Sequence, residues 1–390
     1  MRWPRNPLAI VLGAVIFRIL LIPSVLNRLG TPDAHFAGNE PSHIAAHILR
    51  GDGFASPYSD LALPTAQQSP LYPLFVVGVF RLFGAFSKVS LYAMLVVNSV
   101  AGGFTAFLIY CIGVHCVSPL AACLAAWIWA LFAPIAMTDI TLSGYAFAAL
   151  AVVLWLNFVP NLPPKTRNSI LLGIAAAFML LLNPTLVLLI PASALWLNKK
   201  QAAVMLATAL LCVTPWYVRN YRVMGHFYPA LRDNLGMELY LGNHPGMHGT
   251  CDYWTGESPY GGGLPRLGEA RFFEVRGREA IAYIKSAPID FAARSIRRFA
   301  AFWFSPWPAV YIVLLILAIW GARFVPRPFA VFGITLFIFY PVVFYVTQAA
   351  WPTAYRHPIE PLILLMAAEP VSRVLQTRAR LRSLNAKAVV

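Results

Sequence analysis

The sequence predicts an all-α polytopic membrane protein of about ten transmembrane helices, with juxtamembrane helices in its first external loop and one larger external loop. Three observations predict this. Apolar residues make up 59% of the 390 and charged residues only 12%, about half the charge of a soluble chain. The mean hydropathy is +0.66, and the apolar residues come in repeated runs of spanning length. The net charge of +15 lies in short basic tracts between those runs. The positive-inside bias puts lysine and arginine there, so the charge does not point to nucleic acid. The five cysteines are scattered and form neither a disulfide framework nor a zinc spacing.

The N-terminal stretch MRWPRNPLAIVLGAVIFRILLIP has signal-like charge but no small-residue cleavage site, so it reads as a retained first span, about 7–27. Arg2 and Arg5 precede it, which places the N-terminus in the cytoplasm. Arg18 lies mid-span and faces the bundle interior or snorkels. The first external loop, 28–89, holds Asp33, Glu40, Asp52 and Asp60, four of fifteen acidic residues. Within it, 40–50 reads as a helix: Asn39 or Glu40 can cap it, Pro41 suits its first turn and Gly51 ends it. The apolar run 71–86 is short and carries Arg81. If it lies in the membrane plane, the basic tracts Lys165/Arg167, Lys199/Lys200, Arg323/Arg327 and Arg373 to Arg382 all fall inside. If it crosses, all four fall outside. The charge bias therefore favours the in-plane course.

Further spans are expected at about 90–113, 118–136 and 142–159, with Thr138 and Asp139 in an external turn where Asp139 can cap the fourth span. The apolar block 169–198 is interrupted at Asn183-Pro184. Its thirty residues would make a helix of ~45 Å against a hydrocarbon core of ~30 Å, so it reads as a two-span hairpin with an external tip. A seventh span follows at about 201–217. The region 219–298 is external, loop-like from Gly242 to Gly263, with one or two amphipathic helices in 266–298. Spans at about 303–322, 328–347 and 358–372 follow. An external WPTAYRHPIEP turn separates the last two, and 373–390 is a basic cytoplasmic tail. The chain thus divides into an N-terminal membrane module (1–218), an external region (219–298), C-terminal helices (299–372) and the tail.

Chemistry concentrates on the outer face. Glu40, His43 and His47 share a helix face. That can be a metal site, or an interfacial helix with polar residues at headgroup level, and no second Cys/His cluster completes a metal site. Arg219, Arg356 and His357 lie at external membrane depth, where an arginine fork suits a lipid phosphate. Arg294, Arg297 and Arg298 add a basic patch.

Several stretches carry a resemblance, in order along most of the chain. These are E-x3-IA-x2-IL-x-G-x-GF from Glu40 to Phe54, PTAQQSPLYPLF (64–75), PWYVRNY (215–221), LYLGNHPGMHG (239–249) and YRHPIEPLILLMAA (355–368). Together they resemble membrane glycosyltransferases of the GT-C superfamily, in a bacterial branch related to the protein mannosyltransferases and the lipid A aminoarabinose transferase. The resemblance implies a GT-C-like fold in the plasma (bacterial inner) membrane. It also implies that one sugar is transferred from a polyprenyl-phosphate donor to a glycan, lipid or protein acceptor on the external face, and that 71–86 is a juxtamembrane helix. Many relatives have an Asp-Glu pair where this chain has Asn39-Glu40. Glu40 is therefore the expected base, Asp139 a supporting acid and Asp33 the reserve, with Arg219, Arg356 and His357 on the donor phosphate. The lipid-phosphate leaving group already carries its charge, so a divalent metal is possible but not required. Two other classes compete: a transporter or flippase of lipid-linked sugars, which predicts acids at the bilayer midplane, and a non-catalytic subunit that binds such lipids.

Overall fold

A computed structural model describes residues 6–29, 32–58, 62–163, 165–247, 250–251 and 263–388. Among these the regular structure is helical. In chain order the helices are α1 (Pro7–Leu29), α2 (Pro32–Phe36), α3 (Glu40–Arg50), α4 (Leu71–Phe83), α5 (Lys88–Cys116), α6 (Pro119–Leu131), α7 (Ala133–Asp139), α8 (Tyr145–Phe158), α9 (Thr166–Leu182), α10 (Leu189–Ala192) and α11 (Lys199–Met224). The second half adds α12 (Leu235–Gly242), α13 (Gly263–Leu267), α14 (Glu269–Ser286), α15 (Pro288–Phe304), α16 (Pro308–Gly321), α17 (Arg327–Phe339), α18 (Val342–Val346), α19 (Pro352–Arg356) and α20 (Glu360–Ala388).

Four described helical stretches are long and apolar enough to cross a bilayer: Pro7–Asn27, Lys88–Cys116, Lys199–Met224 and Arg327–Val346. The count rises to six if the bent pairs α6/α7 and α15/α16 each make one span. Helices α4, α8 and α9 are apolar but shorter. The core runs through α1, α5, α6, α8 and α20, and every residue from 355 to 370 is buried. Small residues let these helices approach closely. A Cβ on Gly113 would lie 2.5 Å from that of Ala122.

One expected span is broken instead of continuous, and the chain also bends sharply between the amphipathic α15 and the span that follows it; proline explains both. Between α6 and α7 the chain turns by 61°. Pro134 has no N–H for the Ala130 carbonyl four residues back. Between α15 and α16 it turns by 82°, where Pro306 likewise leaves the Phe302 carbonyl without its helical donor. The second arm of the 169–198 hairpin is also irregular: a 3₁₀ turn, the single turn α10 and another 3₁₀ turn, with Pro184 and Pro191 withholding donors. It nevertheless runs back along the whole of α9, because α9 and α11 pack in parallel. Gly173 faces Met205 and Thr208, and Ala177, Leu180 and Leu181 cluster with Val213, Trp216 and Tyr217.

The first-loop helix forms where its caps place it. The Asn39 side chain accepts from the Ser42 N–H, Pro41 occupies the first turn, and Gly51 closes α3 at φ 90°, a conformation glycine adopts without strain. Beyond α11, the expected amphipathic region is two helices, α14 and α15.

Candidate functional site

Glu40 opens α3 and is half-buried. Tyr58 Oη donates to its Oε1 and Gln68 Nε2 to its Oε2. Gln67 Nε2 lies 3.3 Å from Oε1 and 2.7 Å from Tyr58 Oη. Three neutral donors thus aim the carboxylate, and no described lysine, arginine or histidine pairs with it. Asn39 donates to the Leu142 carbonyl at 2.6 Å while capping α3. A carboxylate there could cap but not donate, so asparagine fits this position.

The groups on the other side of the first-loop glutamines come from the 219–298 region. Arg232 donates its Nε to the Gln67 carbonyl and is half-buried. Its terminal nitrogens have no partner among the described residues. Glu238 on α12 accepts from Asn234 Nδ2 and Gln348 Nε2, both at 2.7 Å. Gln348 also donates to Tyr355 Oη at 2.9 Å, and the Tyr355 ring lies 6.0 Å from that of Tyr145. Burial pushes the Glu238 carboxyl up, against the pull of Arg232, and the Glu40 charge adds to the rise. Glu238 nonetheless keeps accessible surface. The sequence gives no signal for Arg232 or Glu238, which read as ordinary loop charges.

Two cavities lie beside these groups. A polar one of about 450 Å³ is lined by His43, His47, Arg50, Tyr58 and Phe86. An apolar cleft of about 710 Å³ opens between α4, α8 and α9, and Leu71 and Tyr72 form one end of it, just after Gln67 and Gln68.

The other predicted residues lie elsewhere. Asp139 is fully buried rather than in an exposed turn, and it does not cap α8, whose N-cap is Gly144 with no side-chain bond. It pairs with Arg18 at 2.7 Å and with His357 Nε2 at 2.7 Å. His357 Nδ1 lies 3.1 Å from Glu360 Oε2, and Arg356 Nε 3.0 Å from Glu360 Oε1. Both histidine nitrogens face carboxylate oxygens, a geometry satisfied when both donate. Each arginine also satisfies the carbonyl its proline orphaned. Arg18 donates to Ala130 O at 2.9 Å and Trp129 O at 3.0 Å. Arg356 donates to Phe302 O, and to Ser305 O at 3.2 Å. A buried chain Arg18–Asp139–His357–Glu360–Arg356 thus stitches the two breaks together. Gly102 on α5 makes room for it, since a Cβ there would lie 2.4 Å from Arg18 Nε.

Arg219 clamps the first loop, donating to the carbonyls of Thr65 and, at 2.8 Å, Phe54, with its guanidinium against the Phe54 and Trp216 rings. His47 meets Asp52 at 2.9 Å and lowers that carboxyl. The His43 ring lies 5.3 Å from Phe86. Neither histidine contacts Glu40. Among the described residues no three His, Cys, Asp or Glu gather as a metal site would require. The Asp33 side chain and Asp60 lie outside the described residues. No family model, curated protein or solved structure matches this chain.

Proposed function

We propose that this chain is a membrane glycosyltransferase that transfers one sugar from a polyprenyl-phosphate donor to an acceptor hydroxyl on the external face of a bacterial inner membrane. The observation that carries the reading is Glu40: a carboxylate beside apolar helices, held by neutral donors from Tyr58, Gln67 and Gln68, with Arg232, whose terminal nitrogens are open, bonded to the Gln67 carbonyl next to it. In the reaction, a Glu40 oxygen takes the proton of the acceptor hydroxyl as that oxygen attacks the anomeric carbon. The bond from that carbon to the phosphate oxygen breaks, and the phosphate leaves with the electron pair. Arg232 stabilises the departing phosphate, a role its open terminal nitrogens suit better than the committed donors of Arg219 and Arg356. The cleft between α4, α8 and α9 takes the isoprenoid chain. Holding both substrates in register supplies much of the acceleration.

A transporter reading has one observation in its favour, the ionic chain from Arg18 to Arg356 among apolar helices. Its members are sealed, with side chains 0–5% exposed, which favours a structural role over a pathway. The test is mass spectrometry of lipids co-purified with the protein, followed by incubation of the vesicle-reconstituted protein with that lipid and candidate acceptors. Release of free polyprenyl phosphate with a glycosylated acceptor is the expected result. A co-purified lipid-linked sugar that is moved across the vesicle intact, with no release, would replace the transferase with the transporter.

A further inference from the structure

Away from Glu40, two carboxylates from the external region meet behind the first loop. Glu269, the first residue of α14, and Asp233 are 3% and 6% exposed. Glu269 Oε1 accepts from Thr65 Oγ1 at 2.8 Å and from the Ala66 N–H at 2.7 Å. The Asp233 N–H in turn donates to Ala66 O at 3.2 Å. The other three carboxylate oxygens, both of Asp233 and Oε2 of Glu269, are buried without any donor, although the two side chains stand within hydrogen-bonding reach of each other. Two ionised carboxylates in that position would repel in a poorly solvated pocket. A donor is missing, and a single proton between them supplies it.

We propose that Asp233 and Glu269 share one proton and form a pH-dependent latch that docks residues 65–68 of the first loop onto the external region, and so position the glutamines that aim Glu40. The charged and titratable groups around the pair fit this. Arg219 reaches it from α11 and Arg232 from the adjoining turn, and both pull the Asp233 carboxyl down. Tyr228 lies beside it and feels both carboxylates as well as Glu274. Neither arginine donates to the three unpartnered carboxylate oxygens, and their positive charge disfavours a metal ion there. Burial pushes Asp233 up to about 6 and Glu269 well above the usual carboxylate range. Both are raised relative to the unfolded chain. The stabilisation is therefore complete below the ordinary carboxylate range, declines as pH rises from there, and is gone once pH has passed the folded-state values, about 6 for Asp233 and well above the usual range for Glu269. The docking stands independently of the transferase reading; only its effect on Glu40 rests on it.

Hydrogen exchange on the full-length protein in lipid nanodiscs tests this at the Ala66 and Asp233 amides. Their protection, corrected for intrinsic exchange, should fall as pH rises, approaching on the order of tenfold per pH unit for one-proton linkage. In Glu269→Gln the amide supplies the missing donor permanently, so protection should persist and lose its pH slope, whereas Glu269→Ala should lose protection at every pH. Protection that is flat with pH in the unaltered protein, or a slope retained in Glu269→Gln, overturns the shared proton. Protection that collapses on chelation and returns with magnesium or calcium would show a cation in its place and overturn it too. A pH slope in exchange with no change in transfer across the same range would keep the docking and overturn its positioning of Glu40.

Discussion

At the scale of single residues, Glu40 is the side chain on which the proposed transfer turns. Glu40→Gln keeps the size and hydrogen-bonding shape of the side chain, so Tyr58 and Gln67 retain an acceptor. Loss of a general base typically costs about 10²–10⁴ in rate. The variant should fold and bind donor normally and lose turnover by that order, checked by single-turnover assay beside thermal unfolding. Near-normal turnover would move the assignment to Asp33. Arg232→Ala addresses the phosphate. A charge-assisted hydrogen bond is worth about 1.5–3 kcal/mol, roughly a ten- to hundredfold change in donor Kd, and the tail variant Arg378→Ala serves as control. An equal effect from both would mean general headgroup attraction. Glu40 stands out in the sequence because a carboxylate beside a bilayer is costly without a job. Arg232 and Glu238 do not, because what distinguishes them is their bonding to Gln67 and Gln348, far away in the chain.

Among elements, local chemistry predicts α3 well and the two breaks only in part. The sequence of α3 contains its own caps, so its ends are fixed by neighbours in the chain. The breaks at Phe132 and Ser305 are each announced by a proline, but a proline alone does not say whether a membrane helix kinks or ends. That is decided by arginines supplied from other elements: Arg18 from α1 for one break, Arg356 from α19 for the other. Because these groups are sealed, removing one partner leaves a buried charge, and such losses cost about 3–5 kcal/mol. Asp139→Asn, which strands Arg18, and Arg356→Ala, which takes one basic partner from Glu360 and orphans the Phe302 carbonyl, should each lower the unfolding temperature in detergent. Any loss of activity should follow the loss of folded protein. A stable Arg356→Ala protein that has lost donor affinity would return Arg356 to the phosphate site.

For the whole molecule, the contacts between distant segments bear on topology independently of charge bias. Arg219 bonds the carbonyls of Phe54 and Thr65, and Glu269 bonds the Ala66 N–H. The first loop and the 219–298 region therefore lie on one side, and the chain crosses the membrane an even number of times between 68 and 219. Reading α5, the bent α6/α7 pair, α8, α9, the irregular return through α10, and α11 each as a crossing gives six, even without α4; of these, α5, α11 and the bent pair have spanning length. Helix α4 has 13 residues and packs on α3 of the loop itself. On that reading of the crossings, parity and packing fit an α4 that lies along the surface, as the positive-inside argument expects. Single cysteines on a cysteine-free background test this at two exposed positions, Asn161 and Lys285. A membrane-impermeant maleimide applied to intact cells should label Lys285→Cys at once and Asn161→Cys only after permeabilisation. Labelling of Asn161→Cys from outside would mean that the basic tract beside it is external, that the positive-inside assignment is inverted, and that the Glu40 site does not face the compartment where the proposed transfer takes place.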